Sequence, residues 1–194
     1  MKHGKAKIKK RCAWVPLDDE LYQNYHDAEW GVPVYDDQKI FEFLVLESAQ
    51  AGLSWITVLR KRENYRKAFV GFDPQKVSRF TPEDIKRLLK NPGIIRNRKK
   101  IEAAVNNAKC FLQVQKEFGI FAKYLWNFVG GSPIRNRWQK VSDLPTKTKE
   151  AEELSKDLKE RGFKFLGPTV IYAHMQATGM VNDHMVDCFR YKEV

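Results

Sequence analysis

Apolar residues recur at intervals of three and four along most of the chain, which is the spacing of an amphipathic helix. Residues 36–52 show this spacing clearly, because Ile40, Phe41 and Leu44 fall on one helical face and Gly52 is a suitable stop. Alternating runs of Val, Ile and Thr joined by hairpin turns are absent from the sequence. The pattern therefore predicts an all-α fold.

Capping residues, prolines and glycines set the limits of the other predicted helices. Ser54 can cap one continuous helix that extends to about Phe69. Thr81 followed by Pro82 begins another, because threonine, a first-turn proline and acidic residues form an N-terminal cap. Further helices are predicted over residues 96–118, 119–129, 148–162 and 168–179. Residues 132–145 have the least periodic pattern and are predicted to form a loop.

The charge of the chain narrows its possible partners. Its 194 residues include 35 Lys plus Arg and 24 Asp plus Glu, so the formal net charge is +11. This excess favours a polyanion such as DNA, with an acidic membrane surface as the competing partner. Apolar residues make up 43 % of the chain, which excludes a disordered protein. No apolar run is long enough for a membrane helix.

The termini and cysteines indicate the compartment and domain organisation. Residues 1–10 form a Lys-rich tail that leads into no apolar segment and is therefore no secretory signal. Residues 11–194 are expected to form a single α-helical domain. Cys12, Cys110 and Cys188 are few, odd in number and far apart, which argues against a secreted disulfide scaffold. We therefore expect a cytoplasmic, monomeric protein, with Cys110 as a buried core thiol.

Two histidine–cysteine pairs near the chain ends are candidate metal ligands. His184 and Cys188 are four residues apart, which would place both side chains on one face of a helix. Cys12 and His26 could supply the other half of a tetrahedral site, and His174 is a spare histidine. From the spacing alone, the alternative of ordinary, partly buried side chains stays open.

A second feature is a pair of glycines, Gly162 and Gly167, that join two predicted helices by a short turn. Thr169 lies in the first turn of the second helix, where free backbone N–H groups can bind a phosphate. Lys164 adds positive charge to this turn. The segment is consistent with a DNA-binding helical hairpin, and a plain hairpin between two packed helices remains the alternative.

The third feature is a group of aromatic residues and one carboxylate. Tyr22, Tyr25 and Trp30 are close together, and Glu47 lies within an apolar helix shortly before Trp55. Aromatic faces and a buried carboxylate suit a flat, electron-poor heterocycle, which the rings stack on while the carboxylate accepts hydrogen bonds. On composition alone, the pattern favours the alternative, because Tyr and Trp usually fill helical cores and a helical glutamate usually faces water.

Six segments of the chain carry a family resemblance: RCAWV, LYQNYHDAEWGVP, LESAQAGLSWITVLRKRENYRKAF, NPGIIRNRKKI, RGFKFLGPT and GMVNDHMVDC. Taken together and in this order, they resemble the bacterial 3-methyladenine DNA glycosylase I family. The resemblance extends from Arg11 to about Phe189 and is vague over residues 130–148. It implies a helix–hairpin–helix DNA glycosylase fold and hydrolysis of the N-glycosidic bond of 3-methyladenine in duplex DNA by nucleotide flipping.

The resemblance also assigns roles to individual residues. Glu47 would read the base edge and stabilise charge, and Leu53 would fill the space left by the extruded base. One structural zinc ion would join the N- and C-terminal segments through Cys12, His26, His184 and Cys188. The pocket for the base would be lined by Tyr22, Tyr25, Trp30 and Trp55. The hairpin residues that grip DNA would be Gly162, Lys164, Gly167 and Thr169.

Two departures from the wider superfamily restrict the chemistry. Asn182 stands where many relatives have a catalytic aspartate, so it cannot act as a carboxylate. Thr169 stands where lyase-competent relatives have a lysine, so no amine is present to form a Schiff base. The resemblance therefore implies a hydrolase that leaves an abasic site. The alternatives are a non-catalytic zinc-stapled DNA-binding module and a related glycosylase with another lesion preference.

Overall fold

Loops of different lengths join the helices of the chain, and the computed structural model describes residues 9–194. Residues 1–8 of the predicted tail lie outside this range. The prediction of a mainly helical fold is confirmed for the described residues. Their α-helices are α1 (Glu20–Ala28), α2 (Asp37–Gln50), α3 (Trp55–Leu59), α4 (Arg62–Ala68), α5 (Pro74–Val77), α6 (Pro82–Lys90), α7 (Arg98–Phe118), α8 (Phe121–Trp126), α9 (Lys149–Glu160) and α10 (Pro168–Ala177).

Helix α2 forms the centre of the core. Every residue from 40 to 49 is buried, and the helix packs against α3, α7 and α10. The sequence pattern predicts one apolar face, whereas the structure covers the whole circumference. Two carboxylates are buried as a result. Glu42 accepts a 2.6 Å hydrogen bond from Arg62, and Glu47 has no such partner among the described residues.

The prediction of one continuous helix over residues 54–69 is wrong, because the structure has two helices in this segment. Helices α3 and α4 are separated by a break at Arg60 and Lys61. The Lys61 ammonium donates to the backbone oxygen of Pro92 at 3.0 Å, and Arg60 pairs with Asp19 at 2.8 Å. The partners in these contacts lie outside the segment, so the local sequence pattern does not predict the break.

Three predicted helix starts have different outcomes. The Thr81 cap is confirmed as a capping box with Asp84, and Thr148 caps α9. Ser54 precedes α3 as predicted, but its hydroxyl lies 2.8 Å from the hydroxyl of Thr57 and makes no backbone cap.

The predicted loop over residues 132–145 contains short regular structure. Strand β1 (Ile134–Arg135) pairs in parallel with β2 (Val181–Asn182), with Ile134 opposite Val181 and Arg135 opposite Asn182. A single 3₁₀ turn follows at residues 141–143. A strand of two residues is too short to show an alternating pattern, which is why sequence periodicity misses it.

The described start of the chain lies against the domain. Lys10 pairs with Asp187, with 2.5 Å between the ammonium and carboxylate atoms. Arg11 donates two 2.8 Å hydrogen bonds to Asp27. No helix of residues 9–194 combines the length and the apolar character that crossing a membrane requires.

Candidate active site and metal centre

A pocket of about 270 Å³ opens between the N-terminal segment, α1, α2, α3 and α10. It contains Glu47 and all four predicted aromatic residues. We call it the aromatic pocket. Its lining residues are Trp14, Tyr22, Tyr25, Trp30, Glu47, Gln50, Trp55, Val141, Leu144, Ala173 and Gln176.

Aromatic rings form most of the pocket wall. The ring centroids of Trp14 and Trp30 are 5.0 Å apart and meet edge to face, and those of Tyr25 and Trp55 are 5.3 Å apart. Mutual packing of this kind fixes the orientation of each ring. The indole nitrogen of Trp55 is buried without a hydrogen-bond acceptor in the described part of the chain. Rigid π-faces and an available donor are well suited to a planar heterocycle.

The carboxyl group of Glu47 is the exceptional polar group of this pocket. Its side chain is 4 % exposed, and no residue from 9 to 194 donates a hydrogen bond to it. Burial raises the pKa of Glu47 to about 8, because the charged form loses its hydration. Burial and then the nearby charge of Glu47 also raise the pKa values of Tyr22 and Tyr25. A buried carboxyl that lacks a partner is costly, which makes Glu47 the candidate functional group of the pocket.

The prediction omitted several residues that line the pocket. Trp14 lies two positions after Cys12. The candidate metal ligand Cys12 was therefore the sequence signal that could have identified Trp14 as a site residue. Gln50 is three residues after Glu47 and therefore shares its helix face. Gln176 and the loop residue Leu144 come from distant segments, and no local pattern connects either one with Glu47.

The four predicted metal ligands meet in a second cluster. Their ligand atoms all lie within 4.8 Å of one another, and all four side chains are buried. Sγ of Cys188 is 3.4 Å from Nε2 of His26 and 3.6 Å from Nδ1 of His184; Sγ of Cys12 is 3.6 Å from the same Nδ1. Zinc–ligand distances of about 2.0–2.3 Å give a tetrahedral S···N edge of about 3.6 Å. The group can therefore hold a metal ion.

Outer contacts orient both imidazoles of this cluster. Nδ1 of His26 lies 2.8 Å from a carboxylate oxygen of Asp27, which itself accepts two hydrogen bonds from Arg11. Nε2 of His184 lies 3.1 Å from the backbone oxygen of Trp30. When these nitrogens donate, the opposite nitrogens are left as acceptors toward the cysteines. Each histidine is thus prepared to bind a metal through the atom that faces the cluster.

The local structure around His184 and Cys188 differs from the prediction. We expected a helix with both side chains on one face, but residues 183–188 form turns after β2. The amide oxygen of Asn182 accepts from the backbone N–H of His184 at 3.2 Å, and the Cys188 N–H donates to Met185 at 2.8 Å. These turns bring the two ligands together. A side chain at Gly31 would approach Nε2 of His184 to 2.8 Å, so glycine is needed there.

Two other candidates lie outside the cluster. His174 is fully buried, both of its ring nitrogens lack a partner within residues 9–194, and burial lowers its pKa to about 3. Cys110 is half-buried rather than the core thiol that we expected. Its thiol accepts a weak 3.7 Å contact from Asn106, four residues earlier on α7.

The metal cluster and the aromatic pocket share a wall. The rings of Trp30 and His184 are 4.7 Å apart, and Trp30 also contacts Trp14. Cys12 is two residues before Trp14, so a ligand and a pocket residue belong to one short segment. An ion in the cluster would therefore hold the pocket wall in place.

The hairpin between α9 and α10 is tied to α7 by two asparagines. The Asn107 side chain accepts from the backbone N–H of Lys164 at 2.8 Å and donates to its carbonyl oxygen at 2.9 Å. Asn106 donates to the carbonyl oxygen of Gly162 at 2.8 Å. Gly162 has a φ of +88°, which favours glycine, whereas Gly167 has an ordinary φ of −67°. These hydrogen bonds fix the conformation of the hairpin.

The predicted DNA-binding residues of the hairpin are on the surface. Lys164, Gly167 and Thr169 are all exposed. Helix α10 begins at Pro168 and carries Ala173, which lines the aromatic pocket. At 1.5 Å per residue, these positions are roughly 8 Å apart along the helix axis. Helix α10 therefore connects the hairpin to the wall of the aromatic pocket.

Leu53 lies on the exposed turn formed by residues 51–54, between α2 and α3. Its side chain is 42 % exposed, and Gly52 adopts a φ of +82°. Glu47 precedes this turn and Trp55 follows it, and both line the pocket. The turn therefore joins two segments that line the pocket.

Asn182 and its neighbour are committed to structural hydrogen bonds. The buried amide of Asn182 donates to the backbone oxygens of Tyr191 and Val194. Asp183 is fully buried and accepts from four side chains, so its oxygens are occupied. The donors are Asn136, Trp138, Tyr172 and Gln176.

Comparison with known proteins adds independent information. The sequence matches the family model described as methyladenine glycosylase over residues 14–191. It is 50 % identical over 182 residues to DNA-3-methyladenine glycosylase 1 of Escherichia coli (strain K12), covering 94 % of this chain and 97 % of that protein. It is also 50 % identical over 178 residues to DNA-3-methyladenine glycosylase of Haemophilus influenzae (strain ATCC 51907 / DSM 11121 / KW20 / Rd), covering 92 % and 96 %.

Solved structures agree with the sequence comparison. A crystal structure of 3-methyladenine DNA glycosylase I superposes with a TM-score of 0.90 at 50 % identity, covering 93 % of this chain and 98 % of that one. A variant of 3-methyladenine DNA glycosylase I in complex with 3-methyladenine superposes with a TM-score of 0.89 at 44 % identity, covering 92 % and 96 %.

Proposed function

Because this chain belongs to the methyladenine glycosylase family, as its sequence motifs predicted, we propose that it hydrolyses the N-glycosidic bond of 3-methyladenine in duplex DNA. The protein is an enzyme of the DNA-3-methyladenine glycosylase type. The observation that carries the proposal is the partner-free carboxyl of Glu47 in a pocket of aromatic rings. A merely structural glutamate would have a counter-charge, as Glu42 has in Arg62.

The chemistry of the substrate explains why the enzyme needs few catalytic groups. Methylation at N3 makes the adenine cationic, so the base leaves as a neutral molecule without prior protonation. Aromatic faces attract such a ring by about 0.5–2 kcal/mol. Tyr25 and Trp55, whose rings pack against each other in the pocket wall, would contact the base in this way.

Glu47 would select the cationic base. In the empty pocket its raised pKa of about 8 keeps most of the carboxyl protonated at neutral pH. A cationic base favours the carboxylate, so binding would release that proton while the oxygens accept hydrogen bonds from the base edge. The carboxylate would then stabilise the positive charge that develops on the sugar as the bond breaks.

Flipping would bring the nucleotide to this pocket, because an atom within a stacked duplex is inaccessible. Leu53 would occupy the space left in the helix. The hairpin residues Gly162, Lys164, Gly167 and Thr169 would hold the phosphates, as in the helix–hairpin–helix glycosylase fold. Thr169 has no amine, so the product would be an abasic site without strand cleavage.

The metal cluster would bind one zinc ion with a structural role. The Cys₂His₂ donor set and the tetrahedral S···N spacing support this assignment. With all four positions taken by protein ligands, no position is left open for catalysis. Both cysteines would bind the ion as thiolates, so loading of the site would release their protons.

The remaining proposals concern the organisation and location of the protein. A single domain over residues 11–194 is supported by one continuous core in the described residues, and we propose that the protein acts as a monomer. A cytoplasmic location is supported by three unpaired cysteines, two of which are buried in the metal cluster. The basic residues before Arg11 would add non-specific attraction to DNA.

The test is an excision assay on methylated duplex DNA. We expect free 3-methyladenine to be released, and borohydride to trap no covalent protein–DNA adduct. A panel of other alkylated bases would identify a glycosylase with a different lesion preference. Retained DNA binding without release of any base would refute the proposal and favour the non-catalytic zinc-stapled DNA-binding module.

A further inference from the structure

We propose that Lys100 is a positioning residue for base extrusion, because it fixes the exposed turn that carries Leu53. Its ammonium group donates to the backbone oxygens of Ala49 at 2.9 Å and Ala51 at 2.5 Å. Lys100 belongs to the first turn of α7, about fifty residues further along the chain. It therefore connects a helix of the core to the end of α2.

The end of α2 needs such a donor. The last carbonyl groups of a helix have no intrahelical partner and carry partial negative charge. Helix α2 has no basic residue in its last turn, and its C-cap residue Ala51, with φ −44° and ψ 117°, is not in the left-handed conformation. An ammonium group satisfies two of these oxygens at once and complements the helix dipole. Partial burial lowers the pKa of Lys100, in agreement with its inward position.

The turn has few other supports. Residues 51–54 are all exposed, and a Cβ placed on Gly52 would meet no atom within 4 Å. Leu53 itself is held by a backbone hydrogen bond of 2.6 Å to Gln50. A leucine that enters a duplex needs a rigid base, because ordering the turn at the moment of insertion would consume binding energy. Lys100 supplies that rigidity before DNA arrives.

This inference rests on the proposed function, since it presumes that Leu53 fills the gap in the duplex. The test compares excision of 3-methyladenine from a fully paired duplex with excision from a bubble of mismatched pairs, where extrusion costs less. We expect Lys100→Met to lose about tenfold on the paired duplex, from two charge-assisted hydrogen bonds, and less than threefold on the bubble. Binding of free 3-methyladenine should stay normal.

Lys99→Met is the matched control. Lys99 is exposed in the same helical turn, and its ammonium has no hydrogen bond or ion pair within residues 9–194. This variant loses the same charge, so its effect reports only the electrostatic attraction of DNA and should disappear at higher salt. Lys100→Arg retains N–H donors and should recover much of the activity on the paired duplex.

Leu53→Ala and the double variant separate the possible outcomes. If Lys100 acts through the turn, Lys100→Met combined with Leu53→Ala is no slower than Leu53→Ala alone on the paired duplex. Equal losses on duplex and bubble, or a loss that Lys99→Met reproduces, would overturn the role of Lys100. Normal excision by Leu53→Ala would refute both the wedge and the positioning role. A wild-type protein that releases no base would instead refute the proposed function.

Discussion

Replacement of Glu47 by glutamine should reduce excision and, at high pH, stabilise the protein. The amide keeps the shape of the side chain but cannot become a carboxylate, so the charge on the base and sugar is no longer stabilised. We expect excision to fall by at least a hundredfold, in the range found for loss of one preorganised electrostatic group. DNA binding should survive, because the hairpin and Leu53 are unchanged.

The stability effect follows from the pKa of Glu47. The pKa rises from 4.5 to about 8 on folding because of burial, so the folded state binds the proton more tightly than the unfolded state. Because the pKa is raised in the folded state, protonation of Glu47 stabilises the fold. This contribution to the free energy of unfolding is complete below pH 4.5 and is lost as the pH rises to 8. At about 1.4 kcal/mol per pH unit, the carboxyl costs about 2 kcal/mol at pH 6 and about 5 kcal/mol at pH 9.

Glu47→Gln removes this dependence. The free energy of unfolding of the variant relative to wild type should therefore increase by about 3 kcal/mol between pH 6 and pH 9. In thermal unfolding this is a gain of roughly 10 °C in relative Tm for a chain of this size. Any cost of the buried amide itself is independent of pH and cancels in the comparison.

Glu160→Gln is the control, because Glu160 is exposed on α9. Its Tm relative to wild type should change little over the same pH range. A flat pH dependence for Glu47→Gln would show that the carboxyl is already ionised in the folded protein. Near-normal excision by this variant would refute the catalytic role of Glu47.

Two further predictions concern the metal cluster and the hairpin. The purified protein should contain about one zinc per chain. Cys188→Ala should lower both the zinc content and the Tm, whereas the control variant Cys110→Ala should retain the metal. A zinc-free protein whose folding resists a chelator would refute the site. Asn107→Ala should weaken binding of duplex DNA by about tenfold, because two hydrogen bonds to the Lys164 backbone are lost, while binding of free 3-methyladenine stays normal. Equal DNA affinity in wild type and variant would show that the hairpin needs no support from α7.

The local pattern of the sequence determined much of the helical architecture. Caps such as Thr81 and Thr148 act over three or four residues, so they can be read directly and are confirmed. The break at Arg60 and the strand pair at Ile134 were missed, because both depend on contacts with distant segments. Motifs along nearly the whole chain were sufficient to identify the family.

For the candidate site, the tertiary structure contributed more than the local sequence pattern. The sequence and its resemblance named Glu47, the four aromatic residues and the four metal ligands, but their roles at the site remain predictions. Only the tertiary structure shows that Cys12 and Cys188 meet, although 175 residues separate them. Only the tertiary structure adds Trp14 and Gln176 to the pocket.

The state of Glu47 is the clearest case. Its place in an apolar helix was visible in the sequence, yet a helical glutamate can face water or the core. Its raised pKa arises because α10, α3 and the N-terminal segment together exclude water while none supplies a counter-charge. Local sequence determines which residues share a helix face, whereas desolvation depends on every segment that packs around a group. The tertiary structure therefore decided the electrostatics of the site.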